Sequence, residues 1–143
     1  MFCIILCLCI SLSYQNMKKN NDTTSAFLIH LSAFLGYIIP FGAIIIPLVL
    51  WQSQKDKSEF LDKHGKAVVN FNISFALYEV SLIIAIILTF LGYLFTQGSI
   101  LFVIIIALFI LFHIIRAILI ILAAIKAQKG ETYEYPMTIK FIK

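Results

Sequence analysis

Long apolar runs separated by short polar segments dominate the chain. Three such runs follow the first charged residues, at 26–51, 67–95 and 100–124. Each is long enough to enter or cross a bilayer, which a helix of about 20 apolar residues can span. The polar segment 17–25 precedes them. An interfacial tail is expected over 129–143, where Tyr133 and Tyr135 suit the headgroup region. The pattern predicts an all-α integral membrane protein with its helical membrane domain at 26–128.

The first apolar run contains residues that disfavour one straight helix. A single helix over roughly 26 residues would rise about 39 Å, more than the hydrocarbon thickness of about 30 Å. Pro40, Gly42 and Pro47 fall inside the run, and a proline within a helix removes a hydrogen bond and clashes with the preceding turn. The run therefore favours two short helices in a broken hairpin, whose irregular backbone needs cover from other protein or water. One kinked, tilted helix is the alternative.

The two later runs predict a long C-terminal hairpin. The uncharged segment Thr96-Gln97-Gly98-Ser99 lies between them and reads as a tight turn. His64, Gly65 and Asn70 mark the entry into the membrane, and Ser58 is a candidate N-cap for the first helix of this hairpin. Together with the broken hairpin, this gives about four transmembrane or half-membrane helices.

The lysines lie near the open ends of the hairpins and not at the long hairpin's turn. They form three clusters: Lys18 and Lys19; Lys55, Lys57, Lys63 and Lys66; and Lys126, Lys129, Lys140 and Lys143. Because lysine-rich segments stay in the cytoplasm, both termini are expected there, in a multi-pass protein of the bacterial cytoplasmic (inner) membrane. An N-terminus on that side also requires an even number of passes in the first run, or none that is complete.

Composition agrees with this assignment. The chain of 143 residues is 62% hydrophobic and 13% charged, whereas soluble domains are about 45–50% apolar and about 25% charged. The net charge of +4 is distributed at helix ends and forms no extended basic face, which argues against nucleic acid as a partner. The lipid bilayer is the expected partner.

The first sixteen residues require a separate interpretation. They include an apolar run of about eleven residues, too short to span a bilayer, and all three cysteines: Cys3, Cys7 and Cys9. An over-extended start, with translation beginning at Met17, is the favoured reading of this doubtful leader. A cleaved signal peptide and a genuine interfacial anchor are the alternatives.

Two ionisable residues lie within the apolar runs. Glu79 and Arg116 are symmetric about the predicted turn, so an antiparallel hairpin brings them to the same depth. A charge at the bilayer centre costs about 2.5–3.5 kcal/mol, so such residues are usually paired. We expect an ion pair that fixes the register of the hairpin, with Asn72 and His113 extending a polar stripe. A polar path or proton-coupling site is the alternative.

The sequence supports no catalytic site, metal site or cofactor. His30, His64 and His113 match no zinc-ligand spacing, and no nucleophile elbow, phosphate loop or dinucleotide fingerprint is present. We therefore expect no enzymatic activity.

Three stretches resemble those of a known family. The first runs from His30 to Trp51, the second is His64-Gly65-Lys66-Ala67 with Asn70-Phe71, and the third runs from Gly130 through Tyr135-Pro136 to Phe141. Over roughly 25–143 the chain resembles a bacterial family of small membrane proteins of unknown function, related to the twenty-kilodalton subunit of the chloroplast inner-envelope import translocon. The resemblance implies about four membrane helices and a start after residue 16. It implies no catalytic residues.

Two classes of function stay open. A non-catalytic membrane component, acting as an assembly, insertion or translocation accessory with a membrane-protein partner or a second copy of itself, is favoured. The alternative is a small transporter or channel subunit that uses Glu79, Arg116 and His113. The sequence names neither substrate nor partner.

Overall fold

The structure, a computed structural model, describes residues 19–39, 41–96 and 100–142 of the chain. Those residues form four α-helices and no β-strand. Helix α1 covers 19–31 and continues as a 3-10 helix over Ser32–Tyr37; α2 is Gly42–Gln54, α3 is Glu59–Thr96 and α4 is Ile100–Gln128. The prediction of an all-α fold is confirmed. The leader over 1–16 and the turn at 97–99 lie outside the described residues.

Helices α3 and α4 are the two described helices that are long and apolar enough to cross a membrane. At about 1.5 Å per residue, the 38 residues of α3 extend about 57 Å and the 29 residues of α4 about 44 Å. Both exceed the hydrocarbon thickness of about 30 Å. Either helix can therefore cross the bilayer and still continue into another part of the fold.

One half of the α3–α4 pair has an apolar surface on all sides. No residue in 80–95 or 100–115 is buried, and the contacts within this half include Tyr93 stacked on Phe102 with ring centroids 5.7 Å apart. A helix pair that is apolar all round needs lipid or protein, not water, around it. We call this half the membrane hairpin.

The other half packs with α1, α2 and the C-terminal tail around a buried core. Small and large apolar residues alternate in it: Ala26, Ile29, Ala33, Leu61, Val68, Phe71, Phe75, Ile120, Ala123, Ala127 and Tyr135. Alanines allow helices to approach closely, and the aromatic rings fill the remaining space. We call this half the bundle.

The first apolar run folds back on itself. His30 on α1 hydrogen-bonds to His64, and Trp51 near the end of α2 donates from Nε1 to Asp62 Oδ1 at 2.9 Å. Both residues thus reach the first turns of α3, and α2 packs back against the 3-10 helix Ser32–Tyr37. The two-helix prediction is confirmed, and the alternative of one kinked helix is wrong.

The break between the two short helices lies just before α2. Phe41 has a left-handed φ of 61°, and a Cβ added to Gly42 would lie 3.0 Å from the carbonyl oxygen of Leu35. Pro40 lies outside the described residues. The structure does not place a break at Pro47, which is buried inside a continuous α2. Its missing N–H costs one hydrogen bond, and burial of the ring offsets part of that cost.

The start of α3 has the expected cap. The backbone N–H of Leu61 donates to Ser58 Oγ at 3.4 Å, and Glu59 and Asp62 lie in the first turn, where the helix dipole favours acidic side chains. The N-cap prediction for Ser58 is confirmed.

Substitution of Gly65 by alanine should destabilise the bundle. A Cβ at this position would overlap the ring of Trp51, and overpacking of this kind costs about 1–3 kcal/mol. The matched control is Gly92→Ala on the same helix, where an added Cβ meets no heavy atom within 4 Å. Thermal unfolding of the purified protein in detergent should show a lower Tm for Gly65→Ala and little change for Gly92→Ala. Equal Tm values for the two variants would contradict the packing.

Candidate functional site

A cluster of polar side chains lies where the bundle meets the membrane hairpin. Arg116 on α4 is 6% exposed. It donates from Nη1 to Glu79 Oε2 at 3.3 Å and from Nη2 to Asn72 Oδ1 at 3.2 Å, both on α3. His113 Nε2 lies 3.8 Å from Glu79 Oε1. The structure thus brings together all four residues of the predicted ion pair and polar stripe.

Tyr37, at the end of the 3-10 helix, completes this cluster. Its ring lies over the guanidinium of Arg116, with Cζ 5.6 Å from the ring centroid. Its hydroxyl donates to the backbone carbonyl of His113 at 3.4 Å. Sequence reasoning did not select Tyr37, although a tyrosine near a predicted helix break was the available signal. We call Tyr37, Asn72, Glu79, His113 and Arg116 the arginine cluster.

The electrostatics of the arginine cluster follow from its surroundings. Either charge alone in an apolar setting is costly, and pairing Arg116 with Glu79 removes most of that cost. Two buried nitrogen atoms, Arg116 Nε and His113 Nδ1, have no hydrogen-bond partner among the described residues. The cluster can fix the register of α3 against α4.

A second set of polar side chains links α1, α3 and the C-terminal tail inside the bundle. His30 Nδ1 lies 2.8 Å from the hydroxyl of Tyr135, and His30 Nε2 lies 2.7 Å from His64 Nδ1. All three residues are buried, and the Tyr135 ring stacks on Phe71 with centroids 3.9 Å apart. Burial, with a smaller contribution from Tyr133, raises the pKa of Tyr135 well above its usual value, so the hydroxyl stays protonated. We call His30, His64 and Tyr135 the histidine–tyrosine chain.

One set of proton positions gives the buried phenol an acceptor. In it, the Tyr135 hydroxyl donates to His30 Nδ1. A neutral imidazole donates from one nitrogen and accepts at the other, so His30 Nε2–H donates to His64 Nδ1. His64 then carries its own proton on Nε2. The backbone carbonyl of Glu131 lies close to the His64 imidazole, but the buried Nε2 makes no hydrogen bond to any described residue by distance and angle.

Three side chains of α3 hold the backbone of the C-terminal tail. Asn70 Oδ1 accepts from the N–H groups of Phe141 and Ile142, and its Nδ2 donates to the Ile142 carbonyl at 2.9 Å. Ser74 Oγ accepts from Ile139 N–H at 2.9 Å. Tyr78 donates to the Met137 carbonyl at 3.1 Å. The tail therefore docks through its backbone, and the side chains of Met137 and Phe141 stay exposed.

The three residues of the predicted membrane-entry motif have separate roles. His64 belongs to the histidine–tyrosine chain, Gly65 makes room for Trp51, and Asn70 holds the tail. Sequence reasoning missed Ser74 and Tyr78. Ser74 follows Asn70 by four residues and Tyr78 follows Ser74 by four, which places all three on one helix face, and that was the signal available.

The three histidines occupy two places in the fold. His30 and His64 share the histidine–tyrosine chain, whereas His113 belongs to the arginine cluster. Among the described residues, no group of three or more histidine, cysteine, aspartate or glutamate side chains is arranged to hold a metal ion.

Comparison with known proteins assigns the chain to a family. The model of the magnetosome magnetite crystal formation protein family (MamF/MmsF) matches residues 21–142. The chain belongs to this family. No curated protein and no solved structure matches it.

This membership corrects the resemblance drawn from short motifs. The expected relation to a chloroplast import translocon subunit is wrong, because the matching model is that of a magnetosome family and covers nearly the whole chain. Glycines and prolines at helix breaks, and aromatic residues near helix ends, serve packing in many membrane bundles. Short stretches rich in them therefore discriminate poorly between families. The membrane assignment itself is consistent with the magnetosome family.

In this magnetosome family member, removing the Tyr135 hydroxyl should weaken the bundle. Tyr135→Phe keeps the stacking on Phe71 but leaves the buried His30 Nδ1 without its donor, which costs about 1–3 kcal/mol. Tyr133→Phe is the control, since its ring can still lie 5.7 Å from Lys126 Nζ. Chemical unfolding in detergent should show a loss of stability for Tyr135→Phe alone. An equal loss in both variants would count against the histidine–tyrosine chain.

The Arg116–Glu79 pair should show energetic coupling. Arg116→Gln strands the carboxylate of Glu79, whose side chain is 31% exposed. The loss of unfolding free energy should therefore be smaller than for a fully buried pair, where breaking the pair typically costs about 3–5 kcal/mol. The double variant Glu79→Gln/Arg116→Gln should be more stable than the two single losses predict when added. A double-mutant cycle of unfolding free energies measures this, and strictly additive losses would contradict the pair.

Proposed function

We propose that this protein is a non-catalytic component of the magnetosome membrane that takes part in magnetite crystal formation. The observation that carries the proposal is the family match over 21–142. The two helices long and apolar enough to span a bilayer support a membrane location. No set of residues in the sequence supports catalysis.

We further propose that the lysine-rich end of the protein faces the cytoplasm and the turn of the membrane hairpin faces the vesicle lumen. All ten lysines lie outside the membrane hairpin, and the positive-inside rule keeps such segments in the cytoplasm. The uncharged segment Thr96-Gln97-Gly98-Ser99 would then be the main luminal element.

The distribution of carboxylates bears on how such a protein could act. Hard metal ions prefer carboxylate oxygens, and six of the seven carboxylates lie in the polar segments on the lysine-rich side: Asp22, Asp56, Glu59, Asp62, Glu131 and Glu134. The seventh, Glu79, pairs with Arg116. With this orientation the lumen receives no carboxylate. The protein would therefore influence the crystal by organising the membrane or its protein partners, not by contacting the mineral.

A second candidate function is a small transporter or channel subunit. The observation that favours it is the arginine cluster, in which His113 lies beside Glu79 and two buried nitrogens lack hydrogen-bond partners among the described residues. A charge-dependent transport role requires those ions. A purely architectural role requires only a stable hairpin.

Complementation of a strain that lacks the gene separates the two functions. The wild-type gene should restore magnetite crystals of normal size in electron micrographs. The double variant Glu79→Gln/Arg116→Gln should restore them equally well if the protein is architectural, since no charge is stranded. Normal protein levels with crystals as defective as in the deletion strain would favour transport. Normal crystals in the deletion strain would contradict a role in crystal formation.

Labelling of intact isolated magnetosomes tests the orientation. In a background with Cys3, Cys7 and Cys9 replaced by serine, a membrane-impermeant maleimide should label Lys57→Cys but not Ser99→Cys. Detergent should then expose the second position, which controls for its reactivity. Labelling of Ser99→Cys before detergent is added would overturn the orientation.

A further inference from the structure

A cavity lies between the lysine-rich part of α3 and the C-terminal tail. Its volume is about 440 Å³, many times the roughly 30 Å³ share of one water molecule. Residues 63–70 of α3 form one wall and residues 132–142 of the tail form the other. The tail is held there by Asn70, so the cavity exists because the tail docks.

The charged lining of the cavity is mainly cationic. Lys63, Lys66 and Lys140 line it, and Glu134 is the single acidic residue among its lining residues. Each of the three lysines has a carboxylate partner: Lys63 lies 2.8 Å from Glu59, Lys66 2.7 Å from Asp62 and Lys140 3.5 Å from Glu134. The Lys63 and Lys140 pairs are more than half exposed, and such pairs contribute little stability. These two lysines can therefore turn towards an anion at small cost, whereas Lys66 is held in a half-buried pair.

Two buried polar atoms in the lining residues lack partners. His64 is 1% exposed, and its Nε2 carries the proton that the histidine–tyrosine chain assigns to it. The Thr138 hydroxyl oxygen is also buried, and neither atom hydrogen-bonds to a described residue. A buried donor without an acceptor is costly, and an anion in the cavity would supply one.

We propose that this cavity binds a phosphate group, either the headgroup of an anionic lipid or free phosphate. Lysine ammonium groups, an imidazole N–H and a hydroxyl are all donors, and a phosphate offers several strong acceptor oxygens. The lysine-rich edge of a membrane is also where anionic headgroups gather around basic residues. The site is separate from the arginine cluster and does not depend on the proposed role in crystal formation.

Binding to the detergent-purified full chain tests the proposal. Thermophoresis measures the binding of three probes: inorganic phosphate, dihexanoyl phosphatidic acid and dihexanoyl phosphatidylcholine. Phosphatidic acid or inorganic phosphate should bind at least tenfold more tightly than phosphatidylcholine. Tight binding of phosphatidic acid alone identifies a lipid headgroup, and tight binding of inorganic phosphate identifies a free anion site. The proposal fails if neither binds more tightly than phosphatidylcholine.

Two variants that remove the same number of positive charges distinguish binding in the cavity from non-specific electrostatic attraction. The cavity variant Lys63→Gln/Lys66→Gln/Lys140→Gln should lose at least tenfold in affinity, as expected when charge-assisted hydrogen bonds are removed. The control variant Lys55→Gln/Lys57→Gln/Lys129→Gln removes the same charge outside the lining and should lose less than threefold. Equal losses would overturn the site in favour of non-specific attraction.

A third variant tests whether a loss of affinity arises from a lost binding contact and not from misfolding. Thr138→Val keeps the shape of the side chain and removes a hydroxyl that has no hydrogen-bond partner among the described residues. Its Tm should be equal to or higher than that of the wild type, because an unsatisfied buried group is removed, while its affinity for the bound probe falls about threefold or more. Unchanged affinity at an unchanged Tm would contradict a role for this hydroxyl and for the site as proposed.

Discussion

The hydrogen-bonded chain of His30, His64 and Tyr135 is the interaction that orders the bundle. It joins three distant parts of the sequence: α1, the start of α3 and the C-terminal tail. Buried polar atoms need partners, so a shift of any one element would leave an imidazole or a phenol unsatisfied. The surrounding alanines and phenylalanines supply burial, but apolar contacts do not specify register. Placement of Tyr135 in turn brings the tail against Asn70, Ser74 and Tyr78, and so forms the cavity wall.

The arginine cluster plays the corresponding part at the border with the membrane hairpin. Beyond Glu79 and Arg116, the two helices present apolar side chains on all sides, which gives no preference for one rotation of α3 over another. The ion pair, with Asn72 as a further acceptor, supplies that preference. Tyr37 lies at the end of the 3-10 helix, and its hydrogen bond to the His113 carbonyl connects the arginine cluster to the first apolar run.

The proposed function of this member of the magnetosome magnetite crystal formation protein family depends on where its polar side chains lie. Its carboxylates, lysines and cavity are concentrated at one end, and the membrane hairpin carries little that could bind an ion at its far end. A protein built this way suits work at the membrane surface opposite the turn. The proposed phosphate cavity lies at that same end, where a lipid headgroup would meet both α3 and the tail.

Much of the architecture could be read from local pattern. The lengths of the apolar runs gave the helices, and the symmetric positions of Glu79 and Arg116 about the turn gave their pairing, because positions in an antiparallel hairpin are related by simple symmetry. Glycine and proline indicated where the first run breaks, although Pro47 proved compatible with a continuous helix. Motif resemblance failed for the family, since such short stretches reflect packing common to many bundles.

The tail illustrates the limit of sequence reasoning. Tyr133 and Tyr135 both read as headgroup residues, yet Tyr135 is buried and hydrogen-bonded to a histidine 105 positions earlier. The sequence by itself determined the membrane class, the number of helices and the register of the long hairpin, because these depend on the lengths of the apolar runs and on near-symmetric spacing; α1 is already helical at 19 and α3 begins at Glu59, outside the apolar runs. Only the tertiary structure decided that the tail enters the bundle and closes a cavity. A hydrogen bond between residues far apart in the sequence produces no periodic pattern of apolar and polar positions.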